Sequence, residues 1–401
     1  MHNFIFKKFR SIYFPVFLSK WIADFFFFLL RMIVYIYFEF SNIFKKNTSS
    51  LISKEKVQAK LFNIYSPPSP SNKEKFVQNS ADIKLSLRDK VELAIIVPFY
   101  NEAAFIEKCV SSALAQRTIF SFIVLAIDDG STDHGAETLE EFKKFDNFFL
   151  IKQKNQGFSG ARNIGIQLAK KYAKYLFFLD GDDYLFSNNS INCLLTEALR
   201  VDADLVDGSY AEIRGNEKFY HKFNHVIKKN GISNEDIVLG YAWGRVMKVE
   251  LWRDINFPQN YWFEDTVLNF LIIPKVKIYA AVRETCYAYL VNPEGITQSS
   301  KGKIKNLDTL YIVEYMLKEL ADRKISIDIK YSHLVLFQLS ARMSRLDGLP
   351  ENIRFYAFLY ASFIVKKYLR QDQIRKPDRF IFRVFRLQNF QVWNLLVKLR
   401  I

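Results

Sequence analysis

The sequence has few of the residues that several common kinds of site require. Its 401 residues include three cysteines, five histidines and 14 glycines. Cys109, Cys193 and Cys286 are far apart, and no CxxC pair, HExxH helix or GxSxG elbow is present. These absences argue against a structural zinc site, a zinc hydrolase and a serine nucleophile of the hydrolase type. They also favour a reducing compartment, in which isolated cysteines stay as thiols.

A long apolar run without charges is also missing. The segment Val16–Phe40 is rich in aromatic residues, but Lys20, Asp24 and Arg31 interrupt it. Each of these charges costs about 2.5–3.5 kcal/mol near the centre of a bilayer, so a spanning helix is disfavoured. A helix that lies at the membrane interface fits better, although spanning and ordinary packing on the core both stay open. No small-residue cleavage site follows the segment, which argues against a cleaved signal peptide.

The excess of positive over negative charge lies at the two ends of the chain. The net charge is +15, with 10 Lys and Arg against 3 acids in residues 1–60 and 11 against 3 in residues 351–401. The remaining residues hold equal numbers of both signs. The basic residues at the ends alternate with Phe, Trp and Leu, and no module that reads nucleic acid is recognisable. This pattern predicts an anionic membrane surface as a partner and excludes nucleic acid.

Composition divides the chain into four parts. Residues 1–62 form an aromatic and basic segment, predicted to be helical and membrane-associating. Residues 63–90 contain NIYSPPSPSNKEKFVQNS and read as a linker, because proline and serine neither continue a helix nor bury much surface. Residues 91–300 are predicted to form the main folded domain, and residues 301–401 a helical, basic region.

Strands and helices alternate from Val91 onward. LAIIVPFYN, FIVLAIDDGSTD, FFLIK and KYLFFLD read as buried strands, with helices predicted over Ala136–Phe145 and in ARNIGIQLAKKYA. This alternation predicts an α/β fold with a mostly parallel sheet flanked by helices. Three polar clusters, VPFYNE, DDGSTD and LDGDD, each follow a predicted strand. Because ligands of such sheets bind at the carboxyl ends of the strands, we expect the clusters to converge there.

The run YLFFLDGDDYL ends an apolar strand with three carboxylates. Asp180, Asp182 and Asp183 lie close enough to repel one another, so the cluster predicts a cation among them. Carboxylate oxygens favour hard ions such as Mg²⁺ or Mn²⁺. An acidic turn with a purely structural role is the alternative interpretation.

Five motifs, taken together and in order, resemble the family 2 glycosyltransferases of the GT-A fold, in particular bacterial capsule and cell-surface polysaccharide transferases. They are VPFYNEAAFIEKCVSSALAQ, IDDGSTD, NQGFSGARNIGIQLA, FLDGDD and WFEDT. The resemblance covers about residues 91–300. It implies a Rossmann-like GT-A domain that moves a sugar, with inversion, from a nucleotide-sugar donor such as a UDP-sugar. The acceptor would be a hydroxyl of a cell-surface glycan or of a lipid-linked molecule, and the cofactor Mn²⁺ or Mg²⁺.

The same resemblance assigns five residues to the donor. Asp128 would contact the uracil ring, and Pro98 and Tyr100 would bracket the base from the other side. Arg162 would reach the diphosphate oxygens, and Asp180 would meet the ribose.

Four further residues are assigned to the metal, the reaction and the acceptor. Asp182 would hold the divalent ion. Asp265 would take the proton from the acceptor hydroxyl, with Glu264 beside it to hold the acceptor. Two acids in the first turn of a helix are the alternative for this pair. Trp243 would stack on an acceptor sugar, or else pack in the core.

Two other functions compete with this interpretation. A catalytically silent protein of the same fold would bind a sugar or a partner without turnover. A nucleotidyltransferase would release pyrophosphate instead of UDP. The expected location is the cytoplasmic face of the membrane, either peripheral or anchored by the N-terminal segment.

Overall fold

The computed structural model describes residues 25, 28–30, 32–40, 52–68, 90–229, 240–292, 295 and 299–399. These residues divide into two units. The helical unit takes in the described residues up to Pro67 together with those from Ser300 onward, and the sheet unit those from Pro68 to Ser299. The two terminal regions that the sequence analysis treated separately thus belong to one unit. Residues 16–24 and 69–89, within the predicted N-terminal segment and linker, lie outside the described residues.

The described residues of the sheet unit include ten strands. In chain order they are β1 (Val91–Phe99), β2 (Phe122–Asp128), β3 (Phe148–Lys152), β4 (Ala173–Phe178), β5 (Tyr184–Leu185), β6 (Leu205–Arg214), β7 (Glu217–His221), β8 (Val226–Lys228), β9 (Arg245–Lys248) and β10 (Tyr279–Leu290). Their order across the sheet is β3-β2-β1-β4-β9-β6-β10-β5, with β7 paired to β6 and β8 to β10.

Most of the central strands run in one direction. β1 pairs in parallel with both β2 and β4, β2 pairs in parallel with β3, and β6 pairs in parallel with β10. β9 lies between β4 and β6 and is antiparallel to both. The predicted α/β fold with a mostly parallel sheet is therefore confirmed. The single antiparallel strand in its middle was not predicted.

The helices of the described residues are numbered in chain order. They are α1 (25, 28–30 and 32–40), α2 (Lys54–Ile64), α3 (Ile106–Leu114), α4 (Gly135–Thr138), α5 (Gly157–Tyr172), α6 (Ser190–Val201), α7 (Asp308–Asp322), α8 (Ile329–Gln338), α9 (Glu351–Tyr368), α10 (Arg379–Arg386) and α11 (Phe390–Leu399). The helix predicted over Ala136–Phe145 is wrong in its extent, because a 3₁₀ turn at Glu140–Lys144 follows the four residues of α4.

α5 packs closely on the strand at the centre of the sheet. A Cβ atom on Gly165 would overlap the side chain of Ile96 in β1, so only glycine allows this approach. The contact fixes the start of α5, which carries GFSGARN, near the carboxyl ends of β1 and β4.

The helical unit has its own aromatic core. Phe62, at the end of α2, lies 5.8 Å from the ring of Tyr311 and 6.3 Å from that of Tyr360. The hydroxyl of Tyr65 donates to the buried carboxylate of Asp308 over 2.9 Å. Within the residues that the structure describes, no helix combines the length and the hydropathy that a bilayer crossing requires.

Candidate active site

Three of the predicted motifs meet at one edge of the sheet. In the register of the sheet, Pro98 lies opposite Ile127 and Ile96 opposite Phe178, so β1, β2 and β4 end side by side. VPFYNE, DDGSTD and LDGDD follow these three strand ends. The convergence expected from the sequence is therefore present.

The acidic turn after β4 lies directly against the end of β1. A Cβ atom on Gly181 would come within 2.8 Å of the Cβ of Phe99 and 3.2 Å of the carbonyl oxygen of Pro98. Cβ atoms essentially never approach a neighbour as closely as the first of these distances, so the turn requires glycine here. The close approach places the carboxylates of the DGDD sequence beside the first loop.

Arg162 connects the acidic turn to the ED pair. Its Nη2 lies 2.7 Å from Oδ1 of Asp180, and its Nη1 lies 3.4 Å from Oδ1 of Asp265. Nη1 also pairs with Oε1 of Glu264. The side chains of Arg162 and Glu264 are 8% exposed, so their ion pair is largely shielded from water, whereas Asp180 and Asp265 remain partly exposed. The guanidinium of Arg162 thereby joins its own motif to the acidic turn and to the ED pair.

Neighbouring residues hold the loop that carries the ED pair. Asn163 donates to the carbonyl oxygen of Phe257 over 2.9 Å, and its Oδ1 accepts from the N–H of Phe257 over 2.7 Å. Phe263, immediately before Glu264, has a φ of +63°, which is uncommon for a residue with a large side chain. Such strain persists only where the surroundings enforce it. The GARN sequence therefore positions the ED pair through both Arg162 and Asn163.

The two acids of the ED pair differ in their access to solvent. The side chain of Asp265 is 30% exposed and that of Glu264 8%. Burial, followed by the negative charge of Asp265, raises the pKa of Glu264, although Arg162 acts in the opposite direction. Burial tends to lower the pKa of Arg162, but Asp180, Glu264 and Asp265 together raise it above its ordinary value. Asp265 is thus the member of the pair that a substrate can reach.

The acidic turn carries more negative charge than nearby cations neutralise. Burial, and then the charge of Asp180, raises the pKa of Asp182 to about 6, while a hydrogen bond from Asn292 opposes this rise. Burial, together with Asp182, Asp133 and Asp180, raises the pKa of Glu102 to about 7. A cation in this cluster would relieve the repulsion.

The carboxylates alone do not make a complete metal site. Within the described residues, no group of three or more His, Cys, Asp or Glu side chains is arranged to hold a metal ion. Mg²⁺ and similar ions are often bound by one or two carboxylates, with phosphate oxygens of a substrate supplying further ligands. Asp180 and Asp182 fit a site of that kind.

Asp183, the last carboxylate of the acidic turn, binds the turn to β10. Its Oδ2 accepts from the hydroxyl of Tyr287 over 2.6 Å, and its Oδ1 accepts from the N–H of Leu290 over 2.7 Å. The Tyr287 hydroxyl also accepts from the N–H of Asp180 over 3.2 Å. β10 therefore supports the acidic turn at two points. The position of Tyr287 in a distant strand gave no sequence signal for this role.

The loops after β1 and β2 hold each other in place. Oδ1 of Asp128 accepts from the N–H of Ser131 over 2.9 Å, and Asp128 is buried. Asp133 accepts from the N–H of Ala103 over 2.8 Å. Pro98 is buried within β1, whereas Tyr100 is 44% exposed beyond its end. Of the residues predicted to surround the base, Tyr100 is the most accessible.

Asp129 is a further member of the site that the sequence analysis did not single out. Its Oδ1 accepts from Nε2 of Gln153 over 2.6 Å and from the N–H of Gln156 over 2.8 Å. Gln156 precedes the first residue of α5. Asp129 therefore ties the DDGSTD loop to the loop that leads into GFSGARN.

Trp243 does not fit its predicted role. The centroid of the Tyr241 ring lies 3.7 Å from that of Trp243 with the planes 3° apart, and the Tyr287 ring lies 4.6 Å away at 15°. Two rings so close and so parallel to one indole would overlap if they shared a face, so they cover opposite faces. Trp243 is also only 9% exposed. The prediction that it stacks on an acceptor sugar is therefore corrected, and the indole packs in the core.

Comparisons with known proteins agree with the fold and the motifs. Residues 94–251 match the model of the family "Glycosyl transferase family 2". The glycosyltransferase GlyA of Streptococcus pneumoniae is 25% identical over 312 residues, 71% of this chain and 43% of that protein. The minor teichoic acid biosynthesis protein GgaA of Bacillus subtilis is 28% identical over 207 residues, 49% of this chain and 46% of that protein. The chain thus spans less than half the length of these two relatives.

Among solved structures, residues 1–349 of S. aureus TarS in complex with UDP-GlcNAc have a similar fold. The TM-score is 0.61 at 16% identity, covering 77% of this chain and 90% of that one. At this identity the likeness concerns the fold alone. The sheet unit thus has the GT-A fold, and residues 94–251 within it match the family 2 glycosyltransferases.

Proposed function

We propose that the protein is an inverting, metal-dependent glycosyltransferase that uses a UDP-sugar. The observation that carries this proposal is the ion-pair cluster of Arg162, which holds Asp180 of the acidic turn beside Glu264 and Asp265 of the ED pair. Donor-side and acceptor-side carboxylates are thereby kept within the reach of one side chain. A transfer reaction needs both sets of groups in the same cleft.

The donor lies along the ends of β1, β2 and β4 in this proposal. Asp128, Pro98 near the end of β1 and Tyr100 just beyond that end contact the base, and Asp180 contacts the ribose. Arg162 contributes to donor binding through its ion pair with Asp180. The complex of TarS with UDP-GlcNAc supports a UDP-sugar as the donor.

Asp182 would hold the divalent cation, either Mn²⁺ or Mg²⁺, with Asp180 close to it. When bound, such an ion neutralises the charge that develops on a departing nucleoside diphosphate. The tight turn at Gly181 and the hydrogen bond between Tyr287 and Asp183 keep Asp180 and Asp182 in position.

Asp265 acts as the general base. Its carboxylate is accessible, and it takes the proton of the acceptor hydroxyl as that oxygen attacks the anomeric carbon opposite the leaving group. Glu264 is more deeply buried and paired with Arg162, so it orients the loop and the acceptor side of the cleft. In this assignment one acid reacts and its neighbour positions it.

The acceptor is a hydroxyl of a cell-surface glycan or of a lipid-linked precursor. The description of the relative GgaA as a teichoic acid biosynthesis protein supports a surface polymer. A lipid-linked acceptor would also give the basic, aromatic chain ends a purpose at an anionic membrane, at its cytoplasmic face.

The test is UDP release by the full-length protein with a panel of UDP-sugars, Mn²⁺ and a crude acceptor fraction. We expect Asp182→Ala to lower turnover about 1,000-fold and to remove metal-dependent UDP binding, because the leaving group loses its counter-charge. Asp146→Ala removes an exposed acid of the same unit and should leave both quantities unchanged. Full activity of Asp182→Ala would overturn the metal assignment. Pyrophosphate release would instead identify a nucleotidyltransferase, and UDP binding without turnover a silent binding protein.

A further inference from the structure

The outward face of α1 is apolar. Among the described residues of this helix, nine large apolar or aromatic side chains are at least 37% exposed. They are Phe25, Phe28, Leu29, Met32, Ile33, Tyr35, Ile36, Tyr37 and Phe40. Only Val34 and Phe38 of its described residues are buried. A surface helix of an ordinary globular protein shows the opposite pattern, with charged and polar residues on its outer face.

The sequence spacing shows that these side chains form one surface. Positions 25, 29, 32, 36 and 40 follow helical periodicity, and positions 33 and 37 lie beside them. Val34 and Phe38 lie on the other side of the helix. α1 therefore presents a broad apolar strip and uses a narrow one for packing. An exposed strip of this size marks an interaction site.

Cations border this strip. α10 packs against α1 through Phe380, whose ring lies 5.1 Å from that of Phe38 and 5.7 Å from that of Tyr35. Arg383 of α10 pairs with Glu39 of α1 over 3.0 Å. Arg379 and Arg386 are exposed on the same helix. Through Phe380 and Arg383, α10 thus lies beside the helix that carries the apolar strip, and Arg379 and Arg386 are exposed one turn either side of Arg383.

A lysine of α9 adds to this positive charge. Burial, and then the charge of Arg386, lowers the pKa of Lys366. Exposed cations attract anions, and an exposed apolar strip favours an apolar environment. Together, the cations and the strip favour a partner that is both anionic and apolar.

We propose that this α1–α10 surface binds an anionic lipid bilayer, with α1 lying in the interface and its apolar strip below the headgroups. Arg379, Arg386 and Lys366 would contact the headgroup phosphates. A second copy of this basic chain would bring more positive charge to a surface that already repels it, so a bilayer fits better. The inference rests on the proposed function, because a membrane surface would bring the enzyme to a lipid-linked acceptor.

The test is cosedimentation of the full-length protein with vesicles. One set contains about 30% phosphatidylglycerol in phosphatidylcholine and the other phosphatidylcholine alone. We expect binding to the anionic set only. The variant R379Q/R386Q/K366Q should bind about 100-fold more weakly, the sum of three cationic contacts at a charged surface. The variant I33Q/I36Q/F40Q should lose at least about 10-fold, because its apolar insertion is removed.

The matched control is K318Q/K324Q/K330Q, which removes the same charge from exposed positions elsewhere in the helical unit. It should bind the anionic vesicles to within about twofold of the unmodified protein, since charge alone does not define the surface. Equal losses in the control and in the α10 variant would overturn the proposal. Undiminished vesicle binding by I33Q/I36Q/F40Q would do the same. Conversion of a dimer to a monomer by that variant, without any vesicle binding by the parent, would show that a second copy covers the strip.

The readouts separate this inference from the proposed function. None of the three triple variants changes a residue of the sheet unit, so UDP release measured with a soluble acceptor should be unaffected in all of them. Vesicle binding without UDP release by the parent protein would leave the surface assignment intact and remove the proposed reaction. UDP release without vesicle binding would remove the surface assignment and leave the proposed reaction intact.

Discussion

Among its described residues the sheet unit buries two arginines, and their surroundings differ in charge balance and in access to solvent. Arg162 faces three carboxylates, of which Asp180 and Asp265 stay 24% and 30% exposed. Arg245 faces Asp207 at 3.0 Å, with both side chains sealed from solvent at 0% and 2% exposure. One cluster has an excess of negative charge and an opening, and the other is balanced and closed.

The difference separates a structural ion pair from a reactive one. Burial raises the pKa of Asp207, while Arg245 acts to lower it. The hydroxyl of Tyr279 also donates to Asp207 over 3.0 Å, so this acid has its partners within the core. The excess carboxylates around Arg162 repel one another. Such an arrangement is reasonable where a cation, a nucleotide and an acceptor complete the site.

The largest expected effect concerns the exposed acid of the Arg162 cluster. Asp265→Asn should lower transfer about 1,000-fold and leave the affinity for UDP unchanged, because the base acts on the acceptor hydroxyl alone. Initial rates and UDP titration would measure the two quantities. Glu264→Gln is the comparison within the pair, and it should keep more activity because the glutamate only positions the loop. If the glutamine variant were the less active of the two, the assignment based on exposure would be reversed.

The next effect concerns stability. Arg245→Leu should lower the free energy of unfolding by about 3–5 kcal/mol, because it leaves Asp207 charged and buried without its partner. Arg162→Leu should cost less stability, because Asp180 and Asp265 can contact water, but it should abolish transfer. Urea unfolding of both variants would measure the difference.

The double variant Arg245→Leu/Asp207→Asn is the control for that comparison. It removes the stranded charge and should recover part of the lost stability. A greater stability loss in Arg162→Leu than in Arg245→Leu would contradict the division into a reactive and a structural pair.

The smallest effect is on the pH dependence of stability. Burial and the neighbouring acids raise the pKa of Glu102 from its ordinary 4.5 to about 7 in the folded protein. Between these values the folded state holds the proton more tightly than the unfolded state does, so stability falls as pH rises through this window. Glu102→Gln should remove part of that fall. Melting temperatures of the metal-free parent protein and of Glu102→Gln, measured between pH about 5 and about 8, would reveal the difference. If the melting temperatures of both proteins changed equally with pH, the raised pKa of Glu102 would be refuted.

The sequence predicted the features that depend on local order along the chain. Apolar runs marked β1, β2 and β4, and the polar residues just beyond each run marked the reactive edge. Parallel pairing then followed from the alternation of strands with helices. β9 escaped prediction because its four residues pair only with strands distant in sequence, and local pattern carries no information on direction.

The contacts within the site were less accessible from the sequence. Arg162 was predicted to contact a diphosphate, but its ion pairs with Glu264 and Asp265 join residues more than a hundred positions apart. Trp243 was assigned to a sugar because its residue type suits one, and only the packed rings on both faces exclude that contact. Asp183 was visible as a carboxylate, yet its function depends on Tyr287 in the last strand.

The tight fit of Gly181 against Phe99 has a consequence for engineering this enzyme. The turn and the end of β1 cannot be diversified independently, since even a methyl group at position 181 would push the two apart. A library that randomises the turn while preserving both flanking aspartates should therefore return glycine at that position among its active members. Changing donor preference would require redesigning both segments as a single block.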